Sequence, residues 1–202
     1  MKPLPFLWAL CFGAVFVWSA IDPKDSFTWA LEVAPAVIGA IVLAIARARH
    51  PLTPLLYGLI LAHCIVLMVG GHYTYAEVPL FDTLADMMGS QRNNYDKLGH
   101  VMQGFVPAMI ARELLLRNEV VNGAGWRNLF IVSFCLAFSA FYELIEWLVA
   151  LAVGEDADAF LGMQGYQWDT QTDMACALIG AIVALLLLSR LHDRQLARFT
   201  WN

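Results

Sequence analysis

Charged side chains are scarce in this sequence. They make up 14% of 202 residues, against 60% hydrophobic, and the mean hydropathy is +0.62. A soluble domain is typically about 45–50% apolar and about 25% charged. The shortfall excludes an ordinary water-exposed fold and points to a bilayer as solvent. Paired cysteines are also missing. Cys11, Cys64, Cys135 and Cys176 all stand inside apolar stretches with no CxxC spacing, which argues against a disulfide framework or a zinc–thiolate site. No Ser/Gly/Pro-rich linker, internal repeat or low-complexity tract divides the chain, so residues 1–202 read as one transmembrane helical domain. A phosphate-cradling glycine loop, a nucleophile elbow and an HExxH motif are absent as well. With a net charge of −5 and few cations, no nucleic-acid partner is expected. The expected partner is the lipid bilayer, with a lipid head group as a further ligand.

What the chain does have is apolar length. Six runs stand out: Pro5–Ala20, Phe27–Ala46, Leu52–Gly71, Lys97–Leu116, Leu129–Val153 and Asp173–Ser189. Each is near the ~20 residues that cross a hydrocarbon core ~30 Å thick. The first ends Val17-Trp18-Ser19-Ala20, with Trp where a cleavage site wants a small residue, so it reads as a span rather than a signal peptide. The predicted fold is therefore an all-α integral membrane bundle of about six helices. Nine of the twelve basic residues fall on alternate connections: Lys2, Arg47/Arg49, Arg112/Arg117/Arg127 and Arg190/Arg194/Arg198. By the positive-inside rule both termini face the cytoplasm. The other connections are acidic, carrying Asp22, Asp25, Glu77, Asp82 and Asp86, and then Glu155, Asp156 and Asp158. Trp18, Trp29, Trp126, Trp147, Trp168 and Trp201 lie near span ends, where amphipathic rings anchor at the interface.

Three segments break the apolar pattern. They are Asn94-Tyr95-Asp96-Lys97-Leu98-Gly99-His100, Phe141-Tyr142-Glu143-Leu144-Ile145-Glu146-Trp147, and Gln167-Trp168-Asp169-Thr170-Gln171-Thr172-Asp173. Asp96/His100 and Asp169/Asp173 are i,i+4 and Glu143/Glu146 are i,i+3, so each pair shares one helix face. Glu143 lies about 21 Å along a span that starts inside near Leu129, and the other pairs open their spans from the outer side. All three pairs are thus expected at one level, in the outward half of the bundle. An ionisable group within a span costs about 2.5–3.5 kcal/mol on insertion scales. A bound cation, protonation, or His100, Lys97 or Arg92 as partners must offset that cost. Asp96, His100, Glu143, Glu146 and Asp173 are the candidate catalytic residues. Glu143, Glu146, His100 and Asp173 form a candidate divalent-cation site of oxygen-rich type with one nitrogen ligand. Asp96 and Asp169 have a plainer reading as helix N-caps, and the glutamates as structural polar groups.

The Gly70–Tyr95 connection adds His72, Tyr73, Tyr75 and Glu77. With Asp169 these are candidate substrate contacts, or else interfacial anchors. His63 and Glu32 are ambiguous interior polar residues. Glu113, with Arg112 and Arg117, reads as a solvated or ion-paired span end.

The run Val69-Gly70-Gly71-His72-Tyr73-Thr74-Tyr75-Ala76-Glu77-Val78-Pro79-Leu80-Phe81, with the 94–100, 141–147 and 167–171 segments, resembles the bacterial YjdF-type inner-membrane family (DUF2238). The resemblance covers most of the chain, and four separate motifs in order make it specific. The resemblance implies the membrane topology and these motifs, but no reaction. A weaker resemblance reaches VanZ-like membrane proteins, through Asp96-Lys97-Leu98-Gly99-His100, Glu143, and Asp173 with Gly180. There Glu146 replaces a Gln and Cys176 replaces an Asn, departures that make the site more acidic and favour a cation. Three functions stay open: a metal-dependent enzyme on a lipid or polyprenyl head group, an ion- or proton-coupled transporter, and a non-catalytic structural or interaction protein.

Overall fold

The computed structural model describes residues 3–154 and 164–198. Trp201 and the acids Glu155, Asp156 and Asp158 lie outside the described residues. Those described are all-helical, with no strand: α1 (Pro3–Ala20), α2 (Ser26–Ala46), α3 (Pro54–His72), α4 (Pro79–Met87), α5 (Tyr95–Arg117), α6 (Ala124–Val153) and α7 (Asp169–Leu196).

Local chemistry sets most of the boundaries. Asp25 caps α2, its carboxylate accepting from the Thr28 amide at 2.6 Å. That bond holds the Asp25 carboxyl below its ordinary value. Prolines open α3 and α4, where a missing N–H costs nothing. Gly123 and Gly154, both at positive φ, bracket α6. The α3–α4 turn places Thr74 and Tyr75 in the left-handed region, at φ 52° and 56°. Side chains rarely adopt that conformation.

Helix α4 is new relative to the sequence reading, which left Gly70–Tyr95 as a connection. Nine residues are too few for a span, and the helix is visible only through its amphipathic pattern. The other helices match the six apolar runs and mostly extend past them, although α3 starts at Pro54 rather than Leu52. The run read as Asp173–Ser189 begins at Asp169 and ends at Leu196, and the run from Leu129 begins at Ala124. Polar first and last turns dilute hydropathy without interrupting a helix.

Helix α3 stands at the centre, with α1 and α2 on one side and α5 on the other. Helices α5, α6 and α7 pack mutually, and α5 with α7 is the most extensive pairing. Leu56, Met109, Ile131, Cys135 and Ala181 form the main core between α3, α5, α6 and α7. A second core, around Val33, Ala36, Cys64 and Met68, joins α2 to α3. Large apolar side chains cover the outside, among them Ile45 on α2, Phe141 on α6 and Leu186 on α7, at 73%, 59% and 76% exposure. In water such a surface would aggregate; in a bilayer it is the required face. Helices α2, α3, α6 and α7 are long and apolar enough to cross a membrane.

Helices α5 and α7 run the same way, and their first turns define what is here termed the upper end. At the lower end Thr53, Glu113, His192, Arg112 and Arg117 form one buried network. Glu113 is fully buried and accepts from the Thr53 hydroxyl at 2.8 Å, from His192 Nε2–H at 2.9 Å and from Arg117 at 3.2 Å. Arginine can only donate, so the Arg112 contact at 2.9 Å makes His192 Nδ1 an acceptor and fixes the Nε2–H tautomer. Of the two alternatives for Glu113, solvated or ion-paired, the structure shows the second. The residue is ion-paired but sealed, because α3, α5 and α7 converge on it.

Candidate functional site

The site is built on the α5–α7 crossing. A Cβ on Gly104 would run into the Ala177 carbonyl, and one on Gly180 into the Val101 carbonyl. The two backbones therefore touch, which is how small residues bring membrane helices together. This approach sets Asp96, Lys97 and His100 on α5 against Asp169 and Asp173 on α7.

His100 is the hub. Its Nε2 lies 3.3 Å from Asp96 Oδ1 and 3.8 Å from Asp173 Oδ1. Its Nδ1 lies 3.1 Å from Gln103 Oε1 and 3.9 Å from Glu143 Oε1. A carbonyl oxygen only accepts, so Nδ1 carries a proton toward Gln103 and Nε2 faces the two aspartates. With Nε2 unprotonated, a lone pair would confront two carboxylates. The ring is therefore either imidazolium or the nitrogen ligand of a cation. One ligand atom each from Asp96, His100 and Asp173 fall within 4.8 Å of one another. Glu143 is buried, and its Oε1 has no hydrogen-bond partner.

Two cations from the protein brace the cluster. Lys97 Nζ bridges Asp169 Oδ1 and Asp173 Oδ1 at 2.6 Å each. Arg92 pairs with Asp169, lies 3.9 Å from Asp96 Oδ2, and stacks over the Tyr166 ring at 5.4 Å. Asn93 ties the segment before α5 in place. Its amide donates to Asp82 at 2.7 Å and to the Val78 carbonyl at 3.0 Å, while Gln164 bonds its backbone. Asp96 and Asp169 lie in the first turns of their helices rather than at the N-caps, which are Asn94 and Trp168. The N-cap reading of both is corrected: their carboxylates meet side-chain cations.

A cavity of about 420 Å³ adjoins the cluster, within the usual ligand-pocket range of ~300–1,000 Å³. Its upper wall is polar, with Glu32, Tyr75, Asp96, His100 and Glu146; its lower wall is apolar, with Val106, Pro107 and Ile110. The Tyr142 hydroxyl donates to Glu32 Oε2 at 3.4 Å, across from α6 to α2.

Of the residues expected to carry chemistry, the structure brings together Asp96, His100 and Asp173. Glu143 stands beside His100, Asp169 is held by Lys97 and Arg92, and Glu146 lies in the cavity wall. Tyr75 reaches the cavity, its ring seated against Gly70 and Gly99. His72, Tyr73 and Glu77 do not line it. His72 Nδ1 donates to the Ser19 carbonyl at 3.0 Å and its ring faces Trp18 and Tyr73. Glu77 bonds Lys24 at 3.0 Å and raises the pKa of that lysine. These residues fasten the α1–α2 connection to the end of α3. Gln103 and Tyr142 escaped the sequence reading. Gln103 had a signal, an amide at i+3 from His100 on the same face, whereas the reach of Tyr142 to α2 is tertiary.

Fold and site define a polytopic helical membrane protein with a buried acidic and imidazole centre at one end of its bundle. Comparison with known proteins narrows that class. The family described as "Predicted membrane protein (DUF2238)" matches residues 4–194, and the chain belongs to it. It is 50% identical over 191 residues to inner membrane protein YjdF of Escherichia coli (strain K12), covering 95% of this chain and 91% of that one. The chain is accordingly an inner-membrane protein. No solved structure matches it.

Proposed function

We propose that the chain forms one domain of six spans, α1, α2, α3, α5, α6 and α7, with both termini cytoplasmic and the upper end facing outward. In this arrangement the protein is a divalent-cation-dependent enzyme acting on a lipid or polyprenyl head group. The observation that carries the reading is the convergence of Asp96, His100 and Asp173, beside a buried Glu143 oxygen that lacks a hydrogen-bond donor. Two carboxylates and one imidazole suit a divalent ion with mixed oxygen and nitrogen ligands. Gln103 would orient the imidazole from behind, and hydrogen bonds of this kind tune ligand basicity. A cation here would polarise a phosphoryl or carbonyl oxygen of the bound head group. Glu143, whose Oε1 has no hydrogen-bond partner, is placed to take or give the proton.

A carrier needs a polar path through both halves of the membrane. The apolar lower wall of the cavity and the sealed Glu113–His192 network below it favour the enzyme over the transporter. Calorimetric titration of the detergent-purified, chelator-stripped protein with Mn2+ tests the proposal. One bound ion is expected, with affinity at least tenfold weaker in His100→Ala and in Asp173→Asn. Normally folded variants that bind as the parent does would refute it.

A further inference from the structure

The cavity has a shape and an opening that say more than the cluster alone. It follows α5 from Asp96 to Ile110, about 21 Å at ~1.5 Å per residue. Its character changes along that length, from carboxylates and imidazole at the top, past Gln103 and His63, to hydrocarbon at Val106, Pro107 and Ile110. Both outer walls face the bilayer. Ile38 of α2 and Phe138 and Phe141 of α6 line the cavity while being 60%, 43% and 59% exposed. Helices α2 and α6 each pack on other helices and make no extensive contact with one another. A long hydrogen bond from Tyr142 to Glu32 spans the gap near its top. Pro35 and Pro107, in facing walls, each remove a backbone donor from the helix ladder beside the cavity.

We infer that the gap between α2 and α6 is a lateral portal, through which the single hydrocarbon chain of a phosphate-bearing membrane amphiphile enters from the bilayer. The chain lies along Val106, Pro107 and Ile110, and the phosphate rests at the Asp96–His100–Asp173 cluster, bridged by the divalent ion. This rests on the head-group reading proposed above and specifies its substrate class. The occupant is a lipid because the mouth of the cavity lies between two membrane-facing helices. A single narrow chain fits better than a diacyl pair because one cavity runs down from the cluster. Tyr142 and Glu32 act as a latch: the hydrogen bond must open for a chain to pass and re-forms behind it.

Glycines supply the test. A side chain added at Gly39, in the cavity wall on α2, meets no atom within 4 Å; the same holds for Gly58 on α3, which does not line the cavity. Native mass spectrometry of the full chain in detergent with Mn2+ would measure farnesyl phosphate binding. The parent and Gly58→Trp are expected to bind one equivalent. Gly39→Trp is expected to bind at least tenfold more weakly while still taking up Mn2+, which separates loss of the chain site from loss of the metal site. Equal binding by Gly39→Trp and the parent overturns the inference, as does competition by inorganic phosphate at the same affinity as farnesyl phosphate. A photoreactive farnesyl phosphate gives a readout that needs no variant. Labelling should fall on the α2 and α6 segments around Gly39 and Phe138, and labelling confined to other helices also overturns it.

Discussion

Lys97 decides how the cluster behaves without a metal. Its ammonium lies 2.6 Å from both Asp169 and Asp173, so it neutralises two carboxylates of α7 and ties them to α5. A divalent ion at Asp96, His100 and Asp173 must share the Asp173 oxygen with it. Two positive charges a few ångströms apart repel by several kcal/mol at an effective dielectric near 20. Lys97→Met therefore has opposite effects in two conditions. In chelator the variant melts at a lower temperature than the parent, because breaking a buried pair exposes the remaining charge. With Mn2+ its affinity for the ion rises about tenfold, which is about 1.4 kcal/mol. Thermal melts and titration of the same preparation check both signs. A variant that binds Mn2+ less tightly would make Lys97 a supporter of the ion rather than its competitor.

The α5–α7 pair is the element that holds the site, and its contact is made of absent side chains. A methyl at Gly180 meets the Val101 carbonyl, a neighbour that cannot move aside as a flexible side chain would. Gly180→Ala should therefore cost about 1–3 kcal/mol, the usual range for overpacking, and spread the ligands on the two helices. Gly58→Ala, in open space on α3, should be neutral or stabilising by up to ~1 kcal/mol, because alanine restricts the unfolded chain and favours helix. Circular dichroism melts in detergent distinguish the two outcomes. The helices themselves were legible in sequence because a span is a long apolar run, and the i,i+4 spacing of Asp96/His100 and Asp169/Asp173 put each pair on one face. The amphipathic α4 was not legible, since nine residues carry too little pattern. Lys97 and Arg92 were legible as partners of the acids, but which carboxylate each meets was not, nor was Tyr142 on Glu32, since these pairings are set by helix crossings. The ion pairing of Glu113 was legible but its sealing was not, because burial by α3 and α7 cannot be read from its neighbours in sequence.

At the scale of the whole molecule, two halves of one bundle are built differently. The lower end is closed by Glu113, His192, Arg112 and Thr53, each fully or almost fully buried. The upper end gathers Asp96, His100, Glu143, Asp169 and Asp173 beside a cavity that continues into apolar walls. Hydrogen bonds that join three helices rigidify the lower end; a buried carboxylate oxygen left unpartnered at the upper end invites a ligand. The asymmetry suits chemistry at one face of a membrane, with the opposite end serving as an anchor. Anomalous diffraction from crystals of the full chain grown with Mn2+ is the most direct test of a divalent ion at the upper cluster. One anomalous peak is expected within coordination distance of Asp96, His100 and Asp173, and none in crystals of His100→Ala. Crystals of the Mn2+-treated parent with no peak there, and Lys97 still bridging Asp169 and Asp173, would contradict it.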